Sequence, residues 1–175
     1  TAKGIAMAMN KPIVPVSTLA AMAYNIYMTD ALICPIMDAR RRQVYTGFYE
    51  WENGRLINLR EDSIQIIDDV VKEAASLNRK VVFAGDGLLL YNDFLKNNRQ
   101  FIVAPASCNM QRAGSVASLA EELVSEGKYI EGSKFVPVYL RKSQAERELE
   151  EKMQAAECNG AECNGAECNG AENHG

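Results

Sequence analysis

Residues 32–59 read LICPIMDARRRQVYTGFYEWENGRLINL. The apolar run Leu32–Met37 ends at Asp38-Ala39-Arg40 and has the length and character of a buried strand. Beyond it the pattern changes. From Gln43 to Trp51 residues alternate, with Val44, Thr46, Phe48 and Glu50 on one side and Tyr45, Gly47, Tyr49 and Trp51 on the other, which is the period of a strand. Glu52-Asn53-Gly54 is a strong hairpin turn, and Arg55–Leu59 returns as its antiparallel partner.

Working outward, the neighbours alternate in type. Upstream, Ile13–Val16 is a short strand candidate, and Ser17 is a good N-cap for a helix through about Met28 with Leu19, Met22, Ala23, Ile26 and Tyr27 on one stripe. Thr1–Asn10 reads as the last turns of a helix stopped by Asn10, Lys11 and Pro12. Downstream, Ile64, Ile67, Val71 and Ala75 give Ser63–Leu77 a helical spacing. Lys80–Ala84 is a buried-type strand that runs into Gly85-Asp86-Gly87, and Leu88–Lys96 is a short helix. Phe101–Val103 is a strand, and Ser115–Glu126 is a helix with Val116, Leu119, Ala120, Leu123 and Val124 on its apolar face and Gly127 as its stop. Phe135–Leu140 is extended around Pro137. Ser143 and Glu146 form a capping box for a charged helix over 143–155. Strands and helices alternate around one antiparallel hairpin, so the class is α/β with a mixed sheet.

The last twenty residues repeat AECNG three times and then degrade to AENHG, a low-complexity tail expected to be disordered. Lys and Arg number 19 and Asp and Glu 23, and four of the acids lie in that tail with no base, so the body is neutral. A neutral body excludes a strongly basic nucleic-acid binder but leaves room for a local patch. Outside the tail there are only Cys34 and Cys108, and the only histidine is His174. A catalytic triad or a two-histidine zinc site in the body is thereby excluded, and the thiols suit a reducing cytosol. No apolar run of about eighteen residues is present. No secretory leader is seen, so a cytoplasmic protein without membrane partners is expected. A helix without a cap at residue 1 suggests the C-terminal part of something longer.

Three clusters could carry chemistry. Gly85-Asp86-Gly87 follows a strand and opens a helix, so its glycines could bring amides to a phosphate or could make a tight turn free of a Cβ clash; the spacing fits no established phosphate loop, which favours the turn. Asp38-Ala39-Arg40-Arg41-Arg42 is the only basic cluster of the body. Asp38 could hold a metal or a base, and Arg40 and Arg41 could grip a phosphate; alternatively, Asp38 caps the turn and the arginines are solvated or paired. Any nucleotide or tRNA contact belongs here. Cys158, Cys163, Cys168 and His174 could in principle ligate zinc, but duplicated sequence explains them better. In the first helix Ala2, Ile5, Ala6 and Met9 form a flat small-residue face, suited either to the chain's own core or to docking another helix.

The order of these motifs resembles one family. Thr1-Ala2-Lys3-Gly4, Pro15-Val16-Ser17-Thr18-Leu19, Met37-Asp38-Ala39-Arg40-Arg41 with Val44-Tyr45, Gly85-Asp86-Gly87 and Pro137-Val138-Tyr139-Leu140-Arg141 follow in the sequence of the TsaB (YeaZ) family over about residues 1–147. The resemblance implies an actin-like (ASKHA, ribonuclease H-like) fold: a remnant N-lobe helix over 1–10, a C-terminal lobe over 11–142, then the charged helix and the tail. It implies a non-catalytic subunit that pairs with the TsaD-type catalytic subunit in threonylcarbamoylation of the tRNA adenosine beside the anticodon. The TsaE-type ATPase joins that pair, and tRNA is met indirectly. ATP and metal are expected on the partner subunits and no cofactor on this chain, since TsaD-type metal binding uses paired histidines. The resemblance also assigns the face of Ala2, Ile5, Ala6 and Met9 to helix docking. The alternatives are an actin-like nucleotide phosphotransferase or ATPase using Asp38 and Gly85-Asp86-Gly87, and a half-domain that pairs with a second copy of itself.

Overall fold

The structure, a computed structural model, describes residues 1–141. The charged segment 143–155, the repeat tail and the cysteine–histidine set of that tail lie outside the described residues. The elements are α1 (Ala2–Ala8), β1 (Pro12–Ile13), α2 (Thr18–Ala23), β2 (Leu32–Asp38), β3 (Gln43–Glu52), β4 (Arg55–Ile66), α3 (Ile67–Ser76), β5 (Val81–Ala84), α4 (Leu88–Leu95), β6 (Phe101–Val103), α5 (Ala113–Ser125) and β7 (Ile130–Glu131). Five strands form one mixed sheet in the order β4-β3-β2-β5-β6. β2 runs antiparallel to β3 and parallel to β5, and β6 continues the parallel half. β1 and β7 make a separate antiparallel pair.

β2 is the middle strand, and its residues Leu32–Ile36 are buried on both faces, which is why it reads as an uninterrupted apolar run. On one face Leu32, Cys34, Ile36, Val44, Phe48 and Phe83 pack against Ile67, Val70 and Ala74 of α3 and Leu88 and Leu95 of α4. On the other, Ile33 and Tyr49 pack against Leu19 and Ala23 of α2, with Tyr45 and Trp51 at the margin. The alternation of β3 therefore divides its side chains between the two cores. Asn53 and Gly54 both take positive φ, 50° and 80°, the condition for the tight turn that matches strand twist.

Three expectations are corrected. The return strand does not stop at Leu59, and the next helix does not begin at Ser63. Ser63–Ile66 pair with Thr46–Gln43, so β4 continues to Ile66 and α3 starts at Ile67. Between Thr46↔Ser63 and Tyr49↔Asn58 the ladder shifts register twice, each time with an extra residue on β4. Second, α2 ends at Ala23 rather than near Met28. The amides of Asn25 and Ile26 fall back on Met22 O (3.2 Å) and Ala23 O (3.0 Å), while the Asn25 amide group donates to Cys108 O and Met110 O and accepts from Ser115 Oγ. Ile26 and Tyr27 thus leave the helical stripe. Third, the strand expected over Ile13–Val16 is Pro12–Ile13, while Phe135–Leu140, expected as extended, joins no strand and exposes Val136, Val138 and Tyr139. Of the expected α5 face only Leu119 is buried.

The core holds two groups that alkali can reach. Cys34 Sγ lies 3.3 Å from Thr46 Oγ1. Burial pushes the Cys34 thiol up to about 12, with the Thr46 hydrogen bond acting against it. Tyr49 is raised by burial and by its hydrogen bond to Asp62. Each group keeps its proton longer in the native state than in the unfolded chain, so the unfolded state loses protons first and is favoured as pH rises. Stability is then intact below pH 9.0, the ordinary thiol value, and declines towards pH 12. The urea midpoint should hold steady to about pH 9 and fall above it, and Cys34→Ala should flatten part of the fall. A midpoint constant up to about pH 11 would contradict this assignment.

Candidate functional site at the carboxyl ends of β2 and β5

β2 and β5 are parallel neighbours, paired from Leu32↔Val81 to Pro35↔Ala84. Their carboxyl ends therefore open at the same edge of the sheet, the position where α/β folds bind ligands. Two of the sequence clusters meet there. The backbone N–H of Asp38 donates to Asp86 Oδ1 (3.3 Å) and that of Gly87 to Ile36 O (3.1 Å). The loop Gly85-Asp86-Gly87 is thus tied across to the end of β2.

Gly85 has φ +112°, and a Cβ there would collide with Ile36 O and stand 2.7 Å from Met22 Sδ. Its N–H donates to Asn109 Oδ1 (3.3 Å). The Leu88 and Leu89 amides that open α4 donate to Gly85 O and Asp86 O. Two of the loop's three amides, and the first of α4, are therefore already committed to protein acceptors. Beside this loop is a mostly apolar cavity of about 420 Å3 whose wall includes Asp86, Leu89, Asn92 and Asn109. Asn92 Oδ1 is buried there without a hydrogen-bond partner among the described residues. Sequence reading passed over Asn92 and Asn109; a polar residue inside the apolar helix LLLYNDFL was the available signal for the first.

The arginines occupy the turn between β2 and β3. Arg40, Arg41 and Arg42 have φ of 64°, 53° and 58°, three successive non-glycine residues in the left-handed region. Ala39 N–H donates to Gln43 O and Gln43 N–H to Arg40 O, and the Arg40 N–H donates to Asp38 Oδ1 (2.9 Å). Arg42 grips Asp68, in the first turn of α3, through Nε and Nη2 at 2.8–3.3 Å. That pair holds the Asp68 carboxyl below its usual range and raises Arg42. The three side chains are exposed. Among the described residues no three of Asp, Glu, Cys or His gather as a metal ion would need, so Asp38 and Asp86 stand together without a further acidic or imidazole donor.

The first-helix face lies elsewhere. α1 ends with Asn10 at φ 51°, its N–H donating to Met7 O and that of Lys11 to Ala6 O, the double bond of a helix stopped by a left-handed residue. None of its residues is buried, and Ile5, Met7 and Met9 are each more than half exposed. Of the expected face, Ala2, Ile5 and Met9 are exposed. Ala6 is half-buried at a groove of about 500 Å3 lined by Met7, Asn10, Tyr129, Glu131 and Gly132. A Cβ on Gly132 would lie 3.4 Å from Ala6 Cβ. Lys3 Nζ donates to Phe135 O (2.9 Å).

The family model described as "TsaD: tRNA N6-adenosine threonylcarbamoyltransferase" matches residues 1–149. The "tRNA threonylcarbamoyladenosine biosynthesis protein TsaB" of Bacillus subtilis (strain 168) is 35% identical over 148 residues, 83% of this chain and 62% of that protein. YeaZ from Pseudomonas aeruginosa superposes with a TM-score of 0.65 at 25% identity, over 79% of this chain and 64% of the other. An uncharacterized protein from the same organism, with similarity to peptidase YEAZ, superposes at 0.64 with 24% identity, over 79% and 63%. The chain spans less than two thirds of the length of each of these proteins. With a mixed sheet, flanking helices and the actin-like fold of its structural neighbours, the chain belongs to the TsaD family and within it is similar to the TsaB (YeaZ) proteins.

Proposed function

We propose that this chain is a scaffold subunit in tRNA threonylcarbamoyladenosine biosynthesis, pairing with a TsaD-type catalytic subunit in the cytoplasm and performing no turnover alone. A TsaE-type ATPase joins the pair, and ATP and metal reside on those partners. The observation that carries this reading is α1. A helix with no buried residue and with Ile5, Met7 and Met9 facing solvent is apolar surface that the chain does not use for its own core, and such surface marks an interaction site. Its small residues Ala2 and Gly4 allow a second helix to come close. The similarity to TsaB supplies the pathway. The free thiols Cys34 and Cys108 agree with a reducing compartment.

A competing reading, a nucleotide phosphotransferase, would need the loop Gly85-Asp86-Gly87 to cradle phosphate. The commitment of the Gly85 and Gly87 amides to Asn109 and Ile36 weighs against it.

The test is size-exclusion chromatography with light scattering, on the chain alone and mixed with a TsaD-type subunit. A new species with the mass of a one-to-one pair is expected. A chain that self-associates through α1 and ignores the partner would overturn the proposal in favour of a homodimer.

A further inference from the structure

We infer that the turn between β2 and β3 is an RNA contact in which the guanidinium groups of Arg40 and Arg41 grip the phosphodiester backbone; this rests on the reading above, that the chain works in tRNA modification. Most other arginines among the described residues hold a partner, the exposed Arg99 excepted. Arg42, Arg55, Arg60 and Arg79 each hold a carboxylate, and Arg112 holds the Ser107 carbonyl. The side chains of Arg40 and Arg41 hold nothing among the described residues, although Asp38 begins their turn and Asp86 and Asp68 each bond to one end of it. Of these three carboxylates only Asp68 is paired with a cation among the described residues. Asp68 is taken by Arg42, Asp38 accepts the Arg40 N–H, and Asp86 accepts the Asp38 N–H.

The backbone does not call for arginine here. Each non-glycine residue in the left-handed region costs about 1–2 kcal/mol, and glycine or asparagine would make this turn more cheaply. Arg42 fastens the turn to α3, and the turn then holds out two adjacent planar forks, the geometry that matches phosphate oxygens. No wall encloses the two forks, since Arg40 and Arg41 are both exposed. An open pair suits an extended polyanion, whereas a small anion needs enclosure. The neutral body adds no long-range field, so the contact is local and positions the RNA without supplying most of the affinity.

The test is fluorescence anisotropy with labelled tRNA, on the chain alone and on its complex with the catalytic subunit, across a salt titration. Replacing Arg40→Gln with Arg41→Gln should weaken binding and lower the slope of log affinity against log salt by about 1.5. The wild-type advantage should then shrink about eightfold between roughly 50 and 200 mM salt. Arg40→Lys with Arg41→Lys, which keeps the charges, should retain most of the slope. Equal slopes for wild type and the glutamine variant would overturn the inference, as would no measurable tRNA binding by wild-type chain and complex alike. A glutamine variant that binds tRNA normally but no longer pairs with the catalytic subunit would make the turn a protein contact and overturn it as well. If wild type forms no pair at all, the scaffold reading fails, and the titration of the chain alone still decides this one.

Discussion

Gly85→Ala is expected to remove about 4 kcal/mol of stability, a large share of the 5–15 kcal/mol of an ordinary domain. Two costs combine. A φ of +112° is disfavoured for any residue with a Cβ by about 1–3 kcal/mol. The new methyl group also meets Ile36 O and Met22 Sδ, both held by buried elements, and overpacking of this kind costs about 1–3 kcal/mol. Gly87 is the internal comparison. Its φ is an ordinary −57°, and its Cβ would meet Ile36 atoms at 3.0–3.3 Å, so Gly87→Ala should cost only about 1 kcal/mol. Urea unfolding of both variants would show a midpoint shift of roughly 2 M for the first. The result also separates two functions for the loop. A glycine kept for phosphate access would, when replaced, spare stability and lose a ligand. A glycine kept for the turn does the reverse, and equal midpoints for Gly85→Ala and wild type would remove the turn account.

Ile5→Glu combined with Met9→Glu is expected to weaken pairing with the TsaD-type subunit about a thousandfold, since two apolar anchors at an interface each contribute roughly 2 kcal/mol. The same double variant should leave the urea midpoint of the isolated chain where it was, because no residue of α1 is buried. The combination of lost association and retained stability is what distinguishes a docking face from a core face. A variant that still pairs would remove α1 as the docking face, and one whose own unfolding midpoint drops would show that α1 supports this chain's own fold. Ala6 is left unchanged in this design because it sits against Gly132.

Much of the sheet was legible because its central strands are written in two different periods. The uninterrupted run of β2 and the alternation of β3 each report how many faces are buried. The end of β4 was not legible. Ile64 and Ile67 stand three apart, a spacing that helix and strand both permit when only one of them lies in the strand. The pairing of Gln43–Thr46 decides the matter, and pairing is non-local. The early end of α2 has the same origin, since Asn25 is drawn to carbonyls 83 and 85 residues away. At the site, Gly85 could be read from its chemistry, because a tight strand-to-helix turn leaves no room for a Cβ. The meeting of Asp38 with Asp86 could not, because the parallel crossover from β2 to β5 brings it about. Nor could the fate of Arg42, which residue type left open and Asp68 settles from 26 positions on.

The two extra residues of β4 have a further effect. β4 is an outer strand of the sheet and, at twelve residues, its longest. A straight strand of that length would be a template on which a newly made chain could lay its own β-structure. Each inserted residue breaks the regular row of outward amides and carbonyls and increases the local twist. Arg60, Glu61 and Asp62 put charge at the same place. The interrupted edge gives up two ladder positions and in return resists strand-by-strand aggregation while the protein is being synthesised.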